Sequence, residues 1–215
     1  MMSDVLFEIE NPLLESLKES ELKGITIDLL EGGLDDFIVG ITKSDTLREI
    51  PVLKTIVAAL KAGMSYNDKI LVKKMASFLY ELRDSSPEER RKMISDLENV
   101  GYSNKVGEKL LLILDKADDM KKPKLLGIVF KKYLEGKIDI ETLLRISNGV
   151  TKIDIIDLEE LKRYYIDIKS EIRPESVMNL ATSGFVDFSP AIGGRLGTNR
   201  NNLGIAFVNI LRGNL

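Results

Sequence analysis

Apolar residues recur with a helical period along most of the chain. Between Asn67 and Arg83, Leu71, Met75, Phe78, Leu79 and Leu82 fall on one face of a helix, with Lys69, Lys73, Lys74 and Glu81 around the rest. Ser86-Pro87-Glu88-Glu89 announces the next helix: a serine N-cap, proline at the first helical position and a glutamate closing a capping box. It is expected to run to about Asn99, with Gly101 ending it. From Ser103 to Asp119, Val106, Leu110, Ile113, Leu114 and Ala117 form a stripe that Leu111 and Leu112 widen, as in a central helix. Pro123 opens a helix with Leu126, Val129, Phe130, Tyr133 and Leu134 inward, and Lys121, Lys122, Lys124, Lys131 and Lys132 as its polar positions. Gly136 suits the left-handed residue after a helix end. Asp139 caps the following helix, with Ile138 and Leu143 placed as a hydrophobic staple and Gly149 as its stop. A further helix is expected from Asp154 to Ser170, with Leu158, Leu161, Tyr165 and Ile168 inward.

The first third is less regular. Leu6, Ile9, Leu13 and Leu17 predict a helix interrupted near Pro12. Leu30, Leu34, Phe37, Ile38 and Ile41 predict another, broken at Gly32-Gly33, since a glycine in a helix interior costs about 1 kcal/mol against alanine. Ser44 is placed to cap a third, which carries Leu53, Ile56, Val57 and Leu60 and stops at Gly63. The last 45 residues change character. Pro174 starts a short helix over Glu175 to Thr182, Gly184 ends it, and Phe185 to Phe188 alternates like a strand. Ser189 to Asn202, rich in Gly, Asn and Ser, reads as a loop, and Leu203 to Leu211 as a final strand or helix.

The predicted fold is therefore mainly α: a multi-helix bundle body over residues 1–170, with acidic helices at 1–43, followed over 171–215 by a small α+β module that resembles a winged helix. A chain of 215 residues buries roughly 70% of its unfolded surface, enough for one solid core with a small appended module. Composition narrows the chemistry more than the fold. The chain has no Cys, His or Trp. Disulfides, zinc fingers, haem attachment, thiol nucleophiles and histidine-dependent triads are thereby excluded. The net charge of −3 hides an asymmetry, with 4 basic and 12 acidic residues in 1–50 against 27 and 22 in 51–215. The N-terminus, Met1-Met2-Ser3-Asp4, is acidic and no apolar signal core follows, so a cytoplasmic protein is expected.

Two stretches carry family resemblance. Gly107 to Asp119, continued by Lys122-Pro123-Lys124-Leu125-Leu126-Gly127 and Phe130, together with Ile50-Pro51-Val52-Leu53 and the Lys73-Lys74…Phe78-Leu79 helix, resembles an uncharacterised family of bacterial helical proteins over roughly residues 45–165. In the tail, Leu180-Ala181-Thr182-Ser183-Gly184-Phe185-Val186 resembles a recognition-type helix turning into a strand. Asn202-Leu203-Gly204-Ile205-Ala206-Phe207-Val208 resembles the helix that closes a winged helix after its wing. Bacterial abortive-infection proteins of the Abi-alpha type are similar in placing helices before a winged tail. That resemblance implies a phage-defence setting and transfers no catalytic residues.

Few side-chain groups look built for chemistry. Asp115, Asp118 and Asp119 could offer two carboxylates to Mg²⁺, but Lys116, Lys121 and Lys122 stand beside them and favour a neutralised surface. Glu160-Leu161-Lys162, with Asp154 or Asp157 upstream, has the E-x-K order of metal-dependent nucleases, yet a helical period splays these side chains apart. Gly193-Gly194-Arg195-Leu196-Gly197 could form a phosphate nest, but no Lys-Ser or Lys-Thr follows. Arg195, Arg200 and Asn199, flanked by Asn201 and Asn202, are the candidates for phosphate or nucleic-acid contact at a wing tip. Against that role, the helix Glu175 to Thr182 has no Arg or Lys with which to read bases.

The expectation is a non-enzymatic protein-interaction or regulatory module of bacterial type, with no catalytic, metal or cofactor residue assigned. A protein partner is expected, and self-association is open. The alternatives are nucleic-acid binding through the winged tail, and a membrane-surface role for the N-terminal helices, such as the one with Lys54 and Lys61 opposite its apolar face.

Overall fold

The computed structural model describes residues 4–61, 63–102, 105–190 and 196–213. Among these, thirteen α-helices and one two-stranded antiparallel sheet form two compact units, residues 1–134 and 135–215. The division falls well before residue 170. The helices on either side of residue 155 share a core with the tail, which moves them out of the body to which their periodicity alone had assigned them.

The first unit is all-helical: α1 (Asp4–Glu19), α2 (Ile27–Glu31), α3 (Leu34–Lys43), α4 (Asp45–Arg48), α5 (Pro51–Lys61), α6 (Tyr66–Glu81), α7 (Pro87–Leu97), α8 (Val106–Asp115) and α9 (Lys121–Leu134), with a π-helical turn at Glu98–Tyr102. The α6 stripe of Leu71, Met75, Phe78, Leu79 and Leu82 is buried as expected. Phe78 meets Phe130 of α9 edge-to-face at 5.1 Å. The two helices approach closely because Gly127 has no side chain. A Cβ there would stand 2.8 Å from the Phe78 carbonyl oxygen. The capping box of α7 forms as read, with Glu89 N donating to Ser86 Oγ and Ser86 N to Glu89 Oε2.

Three expectations for this unit are corrected. First, α1 runs unbroken through Pro12. An interior proline costs about 3 kcal/mol, but burying Leu13 and Leu17 returns about 1.5–3 kcal/mol each. Ser16 Oγ also donates to Pro12 O at 2.7 Å and accepts from Val52 N at 2.9 Å, tying α1 to the start of α5. Second, Ser44 caps the single turn of α4, and α5 is a separate helix. Third, α8 is shorter than expected: it starts at Val106 and ends at Asp115. Ser103 lies outside the described residues.

The second unit holds α10 (Ile140–Lys152), a 3₁₀ turn (Ile155–Asp157), α11 (Leu158–Ile166), α12 (Pro174–Thr182), strands β1 (Val186–Pro190) and β2 (Leu196–Arg200), and α13 (Asn202–Leu211). Its core gathers Leu143, Ile146, Val150, Leu161, Val177, Leu180, Phe185 and Phe207, and the last two rings stack at 4.3 Å. Asp139 caps α10 as read, accepting from Thr142 N at 2.7 Å. Gly149 does not stop α10. It lies inside the helix where a Cβ would stand 2.5 Å from the Phe185 ring, so the glycine answers a packing need rather than a turn. The helix expected at Asp154–Ser170 is shorter, and Ile168, beyond its end, is 84% exposed rather than inward. The segment read as a loop contains β2, whose Asn199 pairs with Asp187 and Arg200 with Val186. The final segment is a helix, α13.

Candidate functional site

The tail's candidate residues sit on a helix–hairpin–helix built around two tyrosines of α11. Tyr165 Oη donates to Phe185 O at 2.6 Å and accepts from Asn201 N at 2.9 Å. It thus joins the chain entering β1 to the chain leaving β2, and its burial pushes its phenol pKa up. Asn201 caps α13 through Gly204 N at 2.8 Å and reaches Asp187 Oδ1 at 2.9 Å. Gly204 faces the Phe185 carbonyl and the Tyr165 hydroxyl so closely that any Cβ would collide with both.

Arg200 is committed within this framework. Its Nε donates to Tyr164 O at 2.9 Å, one terminal nitrogen donates to Tyr164 O and to Asp167 O, and the guanidinium lies 4.1 Å over the Tyr164 ring. A cation bonded to the last carbonyls of α11 is a helix C-cap. Arg200 therefore stabilises the hairpin base, and a free phosphate clamp is not what it presents. Asn199 is exposed on β2 opposite Asp187, an acidic neighbour. Arg195 lies outside the described residues, as does most of the Gly193-to-Gly197 nest. The outer face of α12 shows Glu175, Met178 and Thr182 to solvent; Met178 is 57% exposed and Phe188 on β1 is 44% exposed.

Glu160 and Lys162 do not converge. Lys162 pairs with Glu159 at 2.7 Å, whereas Glu160 turns inward. Glu160 Oε1 accepts from Arg173 N at 2.7 Å and Oε2 accepts from Arg173 Nε at 2.9 Å. Beside it, buried Asp157 accepts from Ser176 Oγ at 2.7 Å and from the Asn179 amide. Burial alone would push the Glu160 carboxyl up. The hydrogen bonds and charge of Arg173 outweigh it and hold the pKa below the ordinary value. This cluster latches α11 to α12.

In the first unit, the aspartates Asp115, Asp118 and Asp119 line a cleft of about 600 Å³ between the α6 residues Tyr66, Ile70, Lys73 and Lys74 and the α8–α9 turn. Asp118 binds Lys122 Nζ at 2.6 Å, and that hydrogen bond lowers its pKa. Asp119 accepts from Lys121 N at 2.7 Å. Among the described residues no three carboxylates gather as metal ligands. Lys122, a polar position in the sequence of α9, is buried. Its place three, four, seven and eight positions before Leu125, Leu126, Val129 and Phe130, on the apolar stripe, is the signal that marks it.

On α5, Val52, Leu53 and Ile56 are buried, and the helix packs against α1, so the face a membrane would need is already covered. No helix among the described residues is long and apolar enough to cross a membrane. No family model matches the chain, and neither a curated protein nor a solved structure matches it.

Proposed function

We propose that the chain is a non-enzymatic, cytoplasmic binding protein of bacterial regulatory type, and that the end of its second unit acts as a winged-helix-like module recognising another protein. The observation that carries this reading is the outer face of α12 and the hairpin. Where a nucleic-acid reader needs cations, α12 presents Glu175, Met178 and Thr182, and the hairpin adds Phe188 beside Asp187. Interfaces between proteins favour exposed Met and aromatic side chains over isolated charges. Arg200, the strongest phosphate candidate among the described residues, is bonded to the end of α11. The likeness of the tail to Abi-alpha-type proteins adds phage defence as the setting.

The test uses the full chain. Met178→Glu combined with Phe188→Ser alters exposed side chains and should change stability by no more than about 0.5 kcal/mol. It is expected to abolish capture of a specific partner from the native host that the wild type retains. Mixed-sequence DNA should bind neither protein at physiological salt. Tight DNA binding that weakens steeply with salt, with a log–log slope near −0.9 per neutralised phosphate, and that is reduced by Arg195→Ala would overturn the reading.

A further inference from the structure

The cleft of the first unit carries an inference of its own, independent of the tail. Its α6 wall holds two neighbouring lysines whose amines reach opposite rims. Lys73 Nζ donates to Gly32 O, between α2 and α3, and Lys74 Nζ donates to Asp115 O at 3.0 Å, at the end of α8. Lys74 is half-buried in the wall. Leu34, Ile70, Ala117 and Met120 supply the cleft's apolar lining and Asp115, Asp118, Asp119, Lys73 and Lys116 its charged lining, of which Asp115 and Asp118 act on Lys74 through their charge.

The geometry points to Lys74 as an acylation site, modified by small acyl phosphates that enter this cleft. The neutral amine can keep an N–H on the Asp115 carbonyl and turn its lone pair toward the cleft. That nitrogen attacks the acyl carbonyl carbon and forms the C–N bond. The bond from that carbon to the phosphate oxygen breaks, and its electron pair leaves with inorganic phosphate. The resting ammonium gives one proton to water before the attack, and the nitrogen gives up a second after it. The resulting amide retains one N–H for Asp115 O, so the tie between α6 and α8 survives while one positive charge disappears. The apolar lining offers the short acyl chain a surface that an exposed lysine lacks.

Burial supports the same choice, because it disfavours the ammonium form and pushes the Lys74 pKa down, against the opposing pull of Asp115 and Asp118. Only the free amine is a nucleophile, so a lysine that holds its proton less tightly reacts sooner at neutral pH.

The experiment treats the full chain with limiting acetyl phosphate and follows each lysine by peptide mass spectrometry. Lys23 and Lys54, both exposed, are the internal references. Lys74 is expected to show a higher initial rate than both, and its lead should vanish in concentrated urea. Asp115→Asn removes the largest charge holding the proton on Lys74 and is expected to raise its rate further. A Lys74 rate no higher than the references, a lead that persists in urea, or an Asp115→Asn rate that stays level or falls would each overturn the proposal.

Discussion

Arg90 in the first unit and Glu160 in the second are both withdrawn from solvent, and the two units neutralise them differently. Arg90, 1% exposed, donates among the described residues to backbone carbonyls and the Ser85 hydroxyl, while Glu21, Glu89 and Glu88 act on it through their charge. Its Nε donates to Leu17 O at 2.7 Å, and its terminal nitrogens donate to Ser20 O and Ser85 O. Leu17 and Ser20 mark the C-terminal end of α1, and Ser85 follows the end of α6. The partial negative charge of two helix ends stands in for a counter-ion. Glu160 instead faces a full charge, Arg173, inside a cluster of titratable and hydroxyl groups. The comparison teaches that the hydrogen bonds of the first solution need no ionised acceptor, since carbonyls do not titrate, whereas those of the second depend on a carboxylate staying ionised.

The largest effect is expected from Arg90→Met. It leaves the Leu17, Ser20 and Ser85 carbonyls without their donor, and each buried acceptor left unsatisfied costs about 1–3 kcal/mol. Denaturant unfolding measures it, and a change below about 0.5 kcal/mol, the surface range, would break the comparison. Arg90→Lys should recover only part of the loss, because an ammonium cannot reproduce the planar fork. Next come Leu114→Ala in the first unit and Leu180→Ala in the second. Both sites are filled, and each should lose about 2–5 kcal/mol. Similar losses would locate the difference between the units in their charges rather than their apolar packing.

The pH response is smaller and more discriminating. The Glu160 pKa is lowered in the folded chain, so its contribution is complete above the ordinary value of 4.5. It fades as the pH falls through the lower folded value. Peptide-resolved hydrogen exchange should therefore show α11 and α12 loosening in acid before α1 and α7. The Asp118 pKa is lowered too, but that side chain is largely exposed, and screening leaves its pair with Lys122 little weight. The smallest effects separate Arg200 from Asn199. Arg200→Ala should cost about 1–2 kcal/mol for lost charge-assisted hydrogen bonds, while Asn199→Ala should stay within about 0.5 kcal/mol.

What could be read from sequence follows from how local the controlling physics is. The Ser86 and Asp139 caps are legible because cap and helix are three residues apart. The α6 stripe is legible because burial repeats with the helical period. Gly149 was read as a stop because nothing nearby in sequence announces Phe185 against it. Arg90 carries a readable signal, lying three, four and seven positions before the buried Met93, Ile94 and Leu97. A charge on an apolar stripe marks a buried cation. The latch is harder. Asp157 with Glu160, and Ser176 with Asn179, are each three residues apart on their own elements. Their meeting depends on how α11 and α12 pack, which periodicity does not specify. Arg200 looked like a phosphate ligand because its acceptors, Tyr164 O and Asp167 O, lie more than thirty residues upstream.

The position of α1 bears on how the chain folds as it is synthesised. Its neighbours are α5, α7 and α8, and the Arg90 bonds to it bridge sequence separations of 73 and 70 residues. Long loops must close before those contacts stabilise anything, which slows folding relative to a bundle of adjacent hairpins. α1, which buries Leu13 and Leu17, cannot complete its contacts until α8 has been synthesised. Through that interval the nascent chain carries an exposed apolar face, and acidic residues such as Glu10, Glu15 and Glu19 on the same helix keep it in solution while it waits.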